Sequence, residues 1–501
     1  MKLKSNAPAW DTTPPEIWSR WQMRQLRHDL THRILPYNAH YRRLFEEADL
    51  NPLDLRTPAD LKHLPFTSKA DLNGAADGPR EFVLIPDEAR IKREPGVILH
   101  ALLHGPTAAR HRIEDEFRPL LMTSTTGRSA EPVPFLFTRQ DLHRLDLAGH
   151  RIMELGGSRP DWRHANLFPF APHLAFWQTH HAGMAFGAFM VSTGGGKTLG
   201  TDGNLRLLEK VRPEILIGMP TFIYHVLRQA VDEGRHWPQL QRIVLGGEKV
   251  ATGLRARLLD LASHLGSPAA SVISTYGFTE AKMAFPECVV EPGSDASGYH
   301  LYPDLGLFEI VHPETGDPVP EGTPGEIVFT PLHARGTVVL RYRTGDIAGG
   351  GITWDACPHC GRTCPRLHGP ISRVSDIRAL SLDKVKGTLV NFNVLEHLLD
   401  DLLGVAAWQI ELCKRNDDPN DVDEIVVRIC PESGIDTSRL EQRVRARFAE
   451  GTEVAPNAVT FHDLADLRDR LGVGRLLKEE KILDRRVSSG TAVTTLHPST
   501  S

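Results

Sequence analysis

The chain has 501 residues, of which 41% are hydrophobic, 24% charged and 7% aromatic. Such values exclude a disordered or fibrous protein, and the length predicts roughly two to four folding units. The net charge is −5 and there is no basic stripe, which argues against a nucleic acid partner. The sequence has neither an apolar run of transmembrane length nor a cysteine-rich composition, so we expect no membrane segment and a cytoplasmic location.

The first part of the chain contains one clear helical pattern. Apolar residues recur at spacings of three or four between Met23 and Ile34, which predicts an amphipathic helix over residues 17–34. Residues 80–118 are rich in Pro, Arg and His and lack a sustained period, so we expect an irregular excursion there.

Short apolar runs alternate with helix-length segments in the middle of the chain. These runs are Ile215–Ile217, Ile243–Leu245 and Val272–Ile273. The alternation predicts βα units and a largely parallel sheet, with ligand loops where the strands end. Further on, a hairpin is predicted from Leu307–Val311 and Glu326–Phe329, followed by a strand over Val338–Tyr342.

A smaller unit follows this β-rich portion. It combines alternating strands with a helix that Ser438 would open, with Glu441 as its partner in a capping box. The predicted fold class is α/β, with a large N-terminal domain of βα subdomains plus a β-rich portion and a small α+β C-terminal domain. The expected bounds are 1–374 and 375–487, followed by a disordered tail over 488–501.

Three polar loops follow predicted strands and carry the candidate chemistry. The first consists of Thr123, Ser124, Thr125, Thr126, Gly127 and Arg128. Hydroxyl groups and backbone N–H groups on a flexible loop, together with a guanidinium, are what a polyphosphate requires. A Ser/Thr-rich surface turn is the alternative interpretation.

The second loop runs from Tyr276 through Gly277 to Glu280. It can present the Tyr276 ring to a flat heterocycle, the Thr279 hydroxyl to a phosphate and the Glu280 carboxylate to Mg²⁺. The third loop ends in Asp346, whose carboxylate can accept hydrogen bonds from two ribose hydroxyls. An ordinary turn is the alternative for each loop, but three such loops in this order are uncommon.

The ordered motifs resemble those of the adenylate-forming superfamily, and in particular its phenylacetate-CoA ligase branch. Residues 36–41 and 64–72 are similar to the opening signature of that branch. The similarity continues through the loops above and through Gly246-Gly247-Glu248, Gly361-Arg362 and Pro365-Arg366. The resemblance implies ATP-dependent activation of a small carboxylic acid to an acyl-adenylate with release of pyrophosphate, and then transfer to CoA.

The resemblance also implies how the chain holds the nucleotide. The loop 123–128 would hold the β and γ phosphates of ATP. Gly247 and Glu248 would bracket the adenine together with Tyr276 and its neighbour Gly277.

Catalytic roles follow from the same resemblance. Thr279 would contact the α phosphate, Glu280 would bind Mg²⁺ and Asp346 would bind the ribose. Arg373 matches an arginine beside an interdomain hinge, about which the small domain would move as a lid, and Lys478 aligns with the adenylation lysine. A carboxylate that attacks a phosphate is repelled by its negative charge, so positioned cations must supply much of the rate enhancement.

Some positions depart from the family pattern. Ser124 stands where a glycine is usual, Ser375 occupies the hinge position, and Leu477 replaces the glycine before the lysine. Lys481 is close enough in sequence to rival Lys478, for which a solvated helix charge is the alternative.

The cysteines indicate a metal. Cys357 and Cys360 form a CxxC pair with a third cysteine soon after it, which is the spacing of zinc knuckles. Members of the branch that the chain resembles place zinc ligands in the segment that holds Cys288 and His300. We therefore predict a structural zinc site of Cys288, His300, Cys357 and Cys360. The substitutes would be Cys364 and His359, and free buried thiols are the alternative.

An aromatic segment and a glycine-rich turn complete the set. The segment 166–190 contains Phe168, Phe170, His173, Phe176, Trp177, His180, His181 and Phe186. Aromatic walls suit an aromatic acid, although aromatic residues near a strand are more often core. Gly194-Gly195-Gly196-Lys197 resembles the end of a Walker loop, but Val191 stands at the required first glycine, so we predict a simple turn.

The sequence leaves the acceptor of the activated acid open between CoA, an amine and a carrier-protein thiol, because scattered loops supply the acceptor contacts. A nucleotide-binding, zinc-stabilised protein without turnover is an alternative from a different class. The oligomeric state also stays open, with a homodimer as one option.

Overall fold

A computed structural model of the protein describes residues 7–74, 78–125, 132–250, 252–291, 294–373, 383–385, 388–390, 398–400, 402–415, 423–452, 455–473 and 479–485. The chain divides into two compact units. The first is Met1–Val250 with Arg257–Val374, and the second is Ala251–Ala256 with Ser375–Ser501. The predicted tail, 488–501, lies outside the described residues. Among the helices of the described ranges, none has the length and apolar character needed to cross a membrane.

Helices dominate the beginning of the chain. Up to residue 265 the α-helices are α1 (Pro15–Asp29), α2 (Leu35–Tyr37), α3 (Ala39–Glu47), α4 (Lys69–Gly74), α5 (Glu88–Ile91), α6 (Pro95–His104), α7 (Pro106–Phe117), α8 (Arg139–Leu155), α9 (Leu174–Phe186), α10 (Gly195–Val211), α11 (Pro220–Asp232) and α12 (Thr252–His264). The predicted first helix is confirmed, because α1 continues into a π-helical turn, Leu30–Ile34. Met23, Leu26 and Leu30 on this helix are fully buried.

Residues 80–118 are largely helical, so the predicted irregular excursion is wrong. Helices α6 and α7 begin at Pro95 and Pro106. Proline is tolerated at the first position of a helix because the backbone N–H that it lacks would have no acceptor within the helix. Gly105 joins them with a φ of 88°, which favours glycine. Helix α6 buries none of its residues, and Leu102 and Leu103 on it are 79% and 68% exposed. It therefore lacks the buried stripe that a periodicity analysis detects.

The strands of the first unit form four sheets. They are β1 (Leu121–Ser124), β2 (Pro134–Phe137), β3 (Arg163–Pro169), β4 (Phe189–Gly194), β5 (Ile215–Gly218), β6 (Arg242–Leu245), β7 (Ser271–Phe278), β8 (Met283–Pro286), β9 (Tyr299–His300), β10 (Gly306–Val311), β11 (Gly325–Pro331), β12 (Tyr342–Ala348), β13 (Ile352–Thr353), β14 (Arg366–Leu367) and β15 (Ile371–Arg373). The sheets are β1-β2, β4-β3-β5-β6-β7-β8, β10-β11-β12-β15 and β13-β14-β9.

The largest of these sheets confirms the predicted βα units. Strands β3 to β7 pair in parallel, with helices between them in sequence, and β8 closes the edge in antiparallel pairing. The apolar residues of β5 and β6 are buried or nearly so, as strands covered on both faces require. The carboxyl ends of β6 and β7 therefore lie side by side, which is where ligand loops belong in such sheets.

The β-rich portion contains the predicted hairpin, but its next strand is placed differently. Strand β12 begins at Tyr342, so the strand predicted over Val338–Tyr342 is wrong and the third polar loop lies within a strand. Gly345 has a φ of 72°, and the register against β11 shifts beside it. A glycine in this conformation produces a β-bulge that re-aims the next side chain, Asp346.

The second unit is a small α+β unit. Its strands are β16 (Asp383–Val385), β17 (Thr388–Val390), β18 (Val405–Lys414), β19 (Asp423–Pro431), β20 (Ala458–Phe461) and β21 (Ile482–Asp484), and its helices are α13 (Thr437–Thr452) and α14 (Leu464–Leu471). The order β20-β19-β18-β21 places the long hairpin at the centre of its main sheet. The mixed α/β class predicted from sequence is confirmed.

The predicted capping box in this unit is wrong by two residues. Asp436 Oδ1 accepts the backbone N–H of Ser438 at 2.9 Å, so the aspartate caps helix α13. Glu441 instead accepts a hydrogen bond from Arg445 Nε at 2.9 Å, one turn further along the helix. A carboxylate is an equally good cap, and here it precedes the serine in the chain.

Candidate active site

The glycine loop after β6 lies beside the tyrosine strand β7. The Thr275 hydroxyl donates to the carbonyl of Leu245 at 2.9 Å, and a Cβ added at Gly246 would meet that hydroxyl at 2.5 Å. Gly247 has a φ of 82°, which glycine adopts without strain. The structure therefore brings Gly247 and Tyr276, both predicted to contact adenine, to the same sheet edge.

Glu248, the third residue of this loop, is held by helix α11. Its carboxylate accepts hydrogen bonds from the backbone N–H of Thr221 at 3.3 Å and from the Thr221 hydroxyl at 2.8 Å. A carboxylate at the first turn of a helix is also favoured by the helix dipole. Glu248 thus anchors the loop that carries Gly247.

Tyr276 and Asp346 meet directly, although 70 residues separate them in sequence. The Tyr276 hydroxyl donates to Asp346 Oδ2 at 2.9 Å. Burial raises the pKa of Tyr276 well above its usual range and the Asp346 carboxylate raises it further, so the phenol stays a donor. Asp346 Oδ1 also lies 3.0 Å from Nε of Arg373. The second and third loops therefore form one site.

The turn after β7 carries the two other predicted side chains of the second loop, Thr279 and Glu280. A Cβ at Gly277 would meet that of Ala284 at 2.9 Å, so a glycine is required where β7 pairs with β8. Glu280 is only 9% exposed and accepts a hydrogen bond from the Tyr342 hydroxyl at 2.6 Å. The held carboxylate offers the oxygen ligands that Mg²⁺ prefers.

The first loop is carried by the β1-β2 hairpin, and part of it can be described. Thr123, Ser124 and Thr125 are described, whereas Thr126, Gly127 and Arg128 lie outside the described residues. The Ser124 N–H donates to the carbonyl of Pro172 at 2.6 Å, and Thr125 Oγ1 accepts the N–H of Val133 at 3.0 Å. Within the described part of the chain, the buried hydroxyl of Thr123 has no hydrogen-bond partner.

Lys282 joins the β1-β2 hairpin to the turn that carries Glu280, and sequence reasoning missed it. Its side chain is 2% exposed. Its Nζ donates to the carbonyl of Leu136 in β2 at 2.6 Å and lies 3.2 Å from Asp141 Oδ2. Burial lowers the pKa of Lys282 to about 8, although the Asp141 carboxylate opposes this shift. All three loops are therefore tied together within the first unit.

Lys478, the predicted adenylation lysine, lies outside the described residues, as do Ser375 and Leu477. Its rival in sequence, Lys481, is engaged within the second unit. The Nζ of Lys481 lies 2.9 Å from Asp400 Oδ1 and 4.8 Å from the centre of the Trp408 ring. These contacts give Lys481 a structural role.

The four predicted metal ligands form a cluster. The ligand atoms of Cys288, His300, Cys357 and Cys360 all lie within 4.8 Å of one another. Cys360 Sγ is 3.3 Å from His300 Nε2, and the Sγ atoms of Cys288 and Cys357 are 3.7 Å apart, too far for a disulfide. Hydrogen bonds from Cys288 and Cys360 lower the pKa of Cys357, which favours the thiolate form of a ligand. Three thiols and one imidazole are the donor set of a structural zinc site, so the residues fit this ion.

The predicted substitutes stand outside this cluster. Cys364 is fully buried, and burial raises the pKa of its thiol to about 12. His359 is exposed, and its Nε2 lies 3.0 Å from the carbonyl of Asp295. Among the described residues, the four first predicted lie together, and the two substitutes are not part of their group.

Four aromatic residues of the segment 166–190 belong to a hydrophobic cluster rather than to a pocket. Phe168, Phe176, Trp177 and Phe186 pack in one hydrophobic cluster with Ile215 and Ile217 of β5. Phe170 differs, because it is 55% exposed and its ring occupies the space beside Gly194, where a Cβ would meet it at 2.3 Å. The glycine-rich segment opens helix α10 at Gly195 and gives room to this ring.

Comparison with known families shows what this region resembles. Residues 152–335 match the family model described as AMP-binding enzyme. This range is therefore similar to AMP-binding enzymes. The matched range includes Gly247, Tyr276 and Glu280 of the predicted nucleotide loops, and the predicted metal ligands Cys288 and His300.

Curated relatives of this chain are named phenylacetate-coenzyme A ligase. The protein of that name from Thermus thermophilus is 27% identical over 378 residues, which cover 74% of this chain and 73% of the relative. The one from Aromatoleum evansii is 26% identical over 316 residues, which cover 62% of this chain and 61% of the relative. These matches confirm the resemblance read from the motifs.

A solved structure shows the same fold. The crystal structure of 2-hydroxyisobutyryl-CoA ligase in the postadenylation state, in complex with R3-HIB-AMP, has a TM-score of 0.73 and 19% identity. The match covers 97% of this chain and 94% of that protein. The fold expected from the resemblance therefore extends over nearly the whole chain.

Proposed function

We propose that the protein is an ATP-dependent, AMP-forming ligase that joins a small carboxylic acid, aromatic in class, to CoA. The observation that carries this proposal is the contact between Tyr276 and Asp346, since it unites two loops that the motif order assigns to adenine and ribose. The relatives named phenylacetate-coenzyme A ligase support an aryl acid as the substrate and CoA as the acceptor.

The first step makes the acyl-adenylate. A carboxylate oxygen of the acid attacks the α phosphorus of ATP, the bond between this phosphorus and its bridging oxygen breaks, and pyrophosphate leaves with the electron pair. Both reactants are anions, so the protein must hold them in line and place donors where charge develops. We assign Asp346 to the ribose, Thr279 to the α phosphate, the loop 123–128 to the leaving phosphates and Lys478 to the developing charge.

The second step transfers the acyl group. The CoA thiol loses its proton, its sulfur attacks the acyl carbonyl carbon, and AMP leaves as the bond from this carbon to the phosphate oxygen breaks. We propose that the second unit moves as a lid about the segment that begins at Ser375, next to Arg373, so that one site serves both steps.

Two metals belong to this proposal. Glu280 would hold Mg²⁺, which when bound neutralises the phosphate charge of the nucleotide. Cys288, His300, Cys357 and Cys360 would hold a structural Zn²⁺, since their three thiols and one imidazole fit this ion. We also propose that the enzyme works in the cytoplasm, where its thiols stay reduced.

The test is pyrophosphate release across a panel of acids, with the mass of the product measured after addition of CoA. We expect release with one or more aryl acids and a CoA thioester as the product. An amide or a carrier-bound acyl group in place of the thioester would reassign the acceptor. No release with any acid would overturn the proposal and leave a nucleotide-binding protein.

A further inference from the structure

Two short segments connect the cluster of Cys288, His300, Cys357 and Cys360 with strand β7, which carries Tyr276. In each segment, a residue that contacts β7 directly precedes a residue that offers a metal ligand. Glu287 precedes Cys288, and Tyr299 precedes His300. Because successive side chains of an extended chain point to opposite sides, one member of each pair can face the cluster while the other faces β7.

Glu287 is bound to β7 through Ser274. Its backbone N–H donates to the Ser274 carbonyl at 2.9 Å, and its Oε2 accepts the Ser274 N–H at 2.8 Å. Glu287 is 7% exposed, and a buried carboxylate requires such donors. The segment that carries Cys288 is therefore fixed to β7 two residues before Tyr276.

Tyr299 reaches the same strand from β9. Its hydroxyl lies 3.3 Å from Ser274 Oγ, and its ring centre lies 5.9 Å from that of Tyr276 at an interplanar angle of 48°. Aromatic pairs at this separation attract each other and restrict each other's orientation. The hydroxyl of Tyr276 is meanwhile fixed by Asp346, so Tyr299 supports the ring and Asp346 holds its end.

We propose that Tyr299 is a positioning residue through which the Cys288–His300–Cys357–Cys360 cluster sets the orientation of the Tyr276 ring, and thereby the affinity for the nucleotide. This inference rests on the proposed function only in that adenine binds at Tyr276. When the cluster holds its metal, His300 is fixed, and with it the neighbouring Tyr299 in the two-residue strand β9. A ring that is already oriented loses less freedom when the base binds.

The first experiment measures ATP binding by calorimetry in the zinc-loaded protein, with Tyr299→Leu and, as the matched control, Tyr299→Phe. We expect roughly a five- to tenfold loss of ATP affinity for Tyr299→Leu, the worth of one aromatic pair, and little change for Tyr299→Phe, which keeps the ring. The zinc content of both variants should equal that of the wild type. Unchanged ATP affinity in Tyr299→Leu would overturn the inference, as would an equal loss in the two variants.

The second experiment combines this variant with metal removal. Wild-type protein stripped with a zinc chelator should lose ATP affinity, whereas stripped Tyr299→Leu should lose little beyond its existing deficit, because both changes act through one contact. Losses that simply add would show that the cluster and Tyr299 act separately. Circular dichroism of the stripped proteins checks that they remain folded, and if they do not, the zinc-loaded comparison of the two variants decides the matter.

These measurements use no acid and no acceptor, so they separate this inference from the proposed function. Wild-type protein that binds ATP while Tyr299→Leu binds it equally well would refute only the role of Tyr299. Wild-type protein that binds ATP but releases pyrophosphate with no acid would refute only the ligase proposal. Absence of ATP binding by the wild type would refute both.

Discussion

The hydroxyl of Tyr342 donates a 2.6 Å hydrogen bond to Glu280 Oε1, and both side chains are buried. Burial raises the pKa of Tyr342, and the Glu280 carboxylate raises it further, so the phenol remains protonated and donates throughout the working pH range. The bond joins the first residue of β12 to the turn after β7. It therefore fixes the one carboxylate proposed to hold Mg²⁺.

Replacement of Tyr342 by Phe should raise the Mg²⁺ concentration needed for activity by about 10- to 100-fold, because a hydrogen bond to a charged group contributes on the order of 1.5–3 kcal/mol. The measurement is pyrophosphate release as a function of Mg²⁺ at saturating ATP. Tyr302→Phe is the control, since its hydroxyl is also buried but contacts the carbonyl of Ala148 instead. An unchanged Mg²⁺ requirement in Tyr342→Phe would contradict this role.

Replacement of Asp346 by Asn should weaken ATP binding about 10- to 100-fold, because an amide loses one of the two acceptor oxygens that Tyr276 and the ribose would share. Calorimetry with ATP measures this loss directly. The variant should also bring the pKa of Tyr276 down toward its ordinary value, since the Asp346 charge is one cause of its rise. Undiminished ATP affinity would remove Asp346 from the nucleotide site.

The stability of the first unit should depend on the titration of Lys282. The pKa of Lys282 is about 8 in the folded protein against an ordinary value of 10.5, because burial disfavours the charged form. Between these pH values the unfolded chain binds more protons than the folded one, so the free energy of unfolding rises with pH. Below this window the full cost of burying the charged Lys282 is present.

We therefore expect the wild type to gain stability relative to Lys282→Gln, by up to about 3 kcal/mol, as the pH rises from about 7 to about 10. Urea unfolding of both proteins at the two pH values measures the difference, and the variant cancels the contribution of all other groups. Parallel pH curves for the two proteins would show that Lys282 does not titrate in this range.

Substitution of Lys478 and of Lys481 by Ala should affect the rate of adenylation very differently. Lys478→Ala should lower kcat for adenylation by at least about a hundredfold, since a cation at developing phosphate charge is worth several kcal/mol. Lys481→Ala, the matched control, should keep kcat within a fewfold, because its ammonium is engaged by Asp400 and Trp408. Single-turnover formation of the acyl-adenylate measures both, and the reverse pattern would exchange their roles.

Cys288→Ser should remove most of the bound zinc and lower the thermal midpoint of the protein, because a three-ligand site holds a structural zinc weakly. Metal analysis and a melting curve measure the two effects. Cys364→Ser is the control, since Cys364 stands outside the cluster although it follows Cys360 closely in sequence. Equal zinc content in wild type and Cys288→Ser would exclude Cys288 as a ligand.

Sequence reasoning found the residues whose chemistry is local to a motif. The parallel βα units followed from apolar runs such as Ile215–Ile217. Tyr276 and Glu280 stood out because polar groups follow the apolar pair Val272–Ile273, although β7 itself extends through Tyr276 to Phe278. The cluster of Cys288 with the CxxC pair was expected only from the resemblance, since nothing in the spacing of Cys288 relates it to residues about seventy positions later.

Residues that act across the fold were missed. In the sequence Lys282 looks like an ordinary surface lysine. Only the fold shows that its ammonium pairs with Asp141 and donates a hydrogen bond to the Leu136 carbonyl. Helix α6 escaped detection because it buries no stripe of residues. The start of β12 was misplaced because Arg341, whose φ is 42°, separates the apolar run that ends at Leu340 from the strand. In each case a long-range contact or a local backbone conformation outweighed the pattern.

The pairing of β9 with β14 places Tyr299 opposite Leu367 and His300 opposite Arg366. A slip of one residue in so short a ladder would exchange the two sides, carrying the imidazole toward the base and the phenol toward the thiols. Two residues of pairing specify the register of a strand weakly. A metal ion bound by His300 would therefore stabilise the observed register over the slipped one. The metal would then fix which way Tyr299 and His300 face, in addition to stabilising the fold.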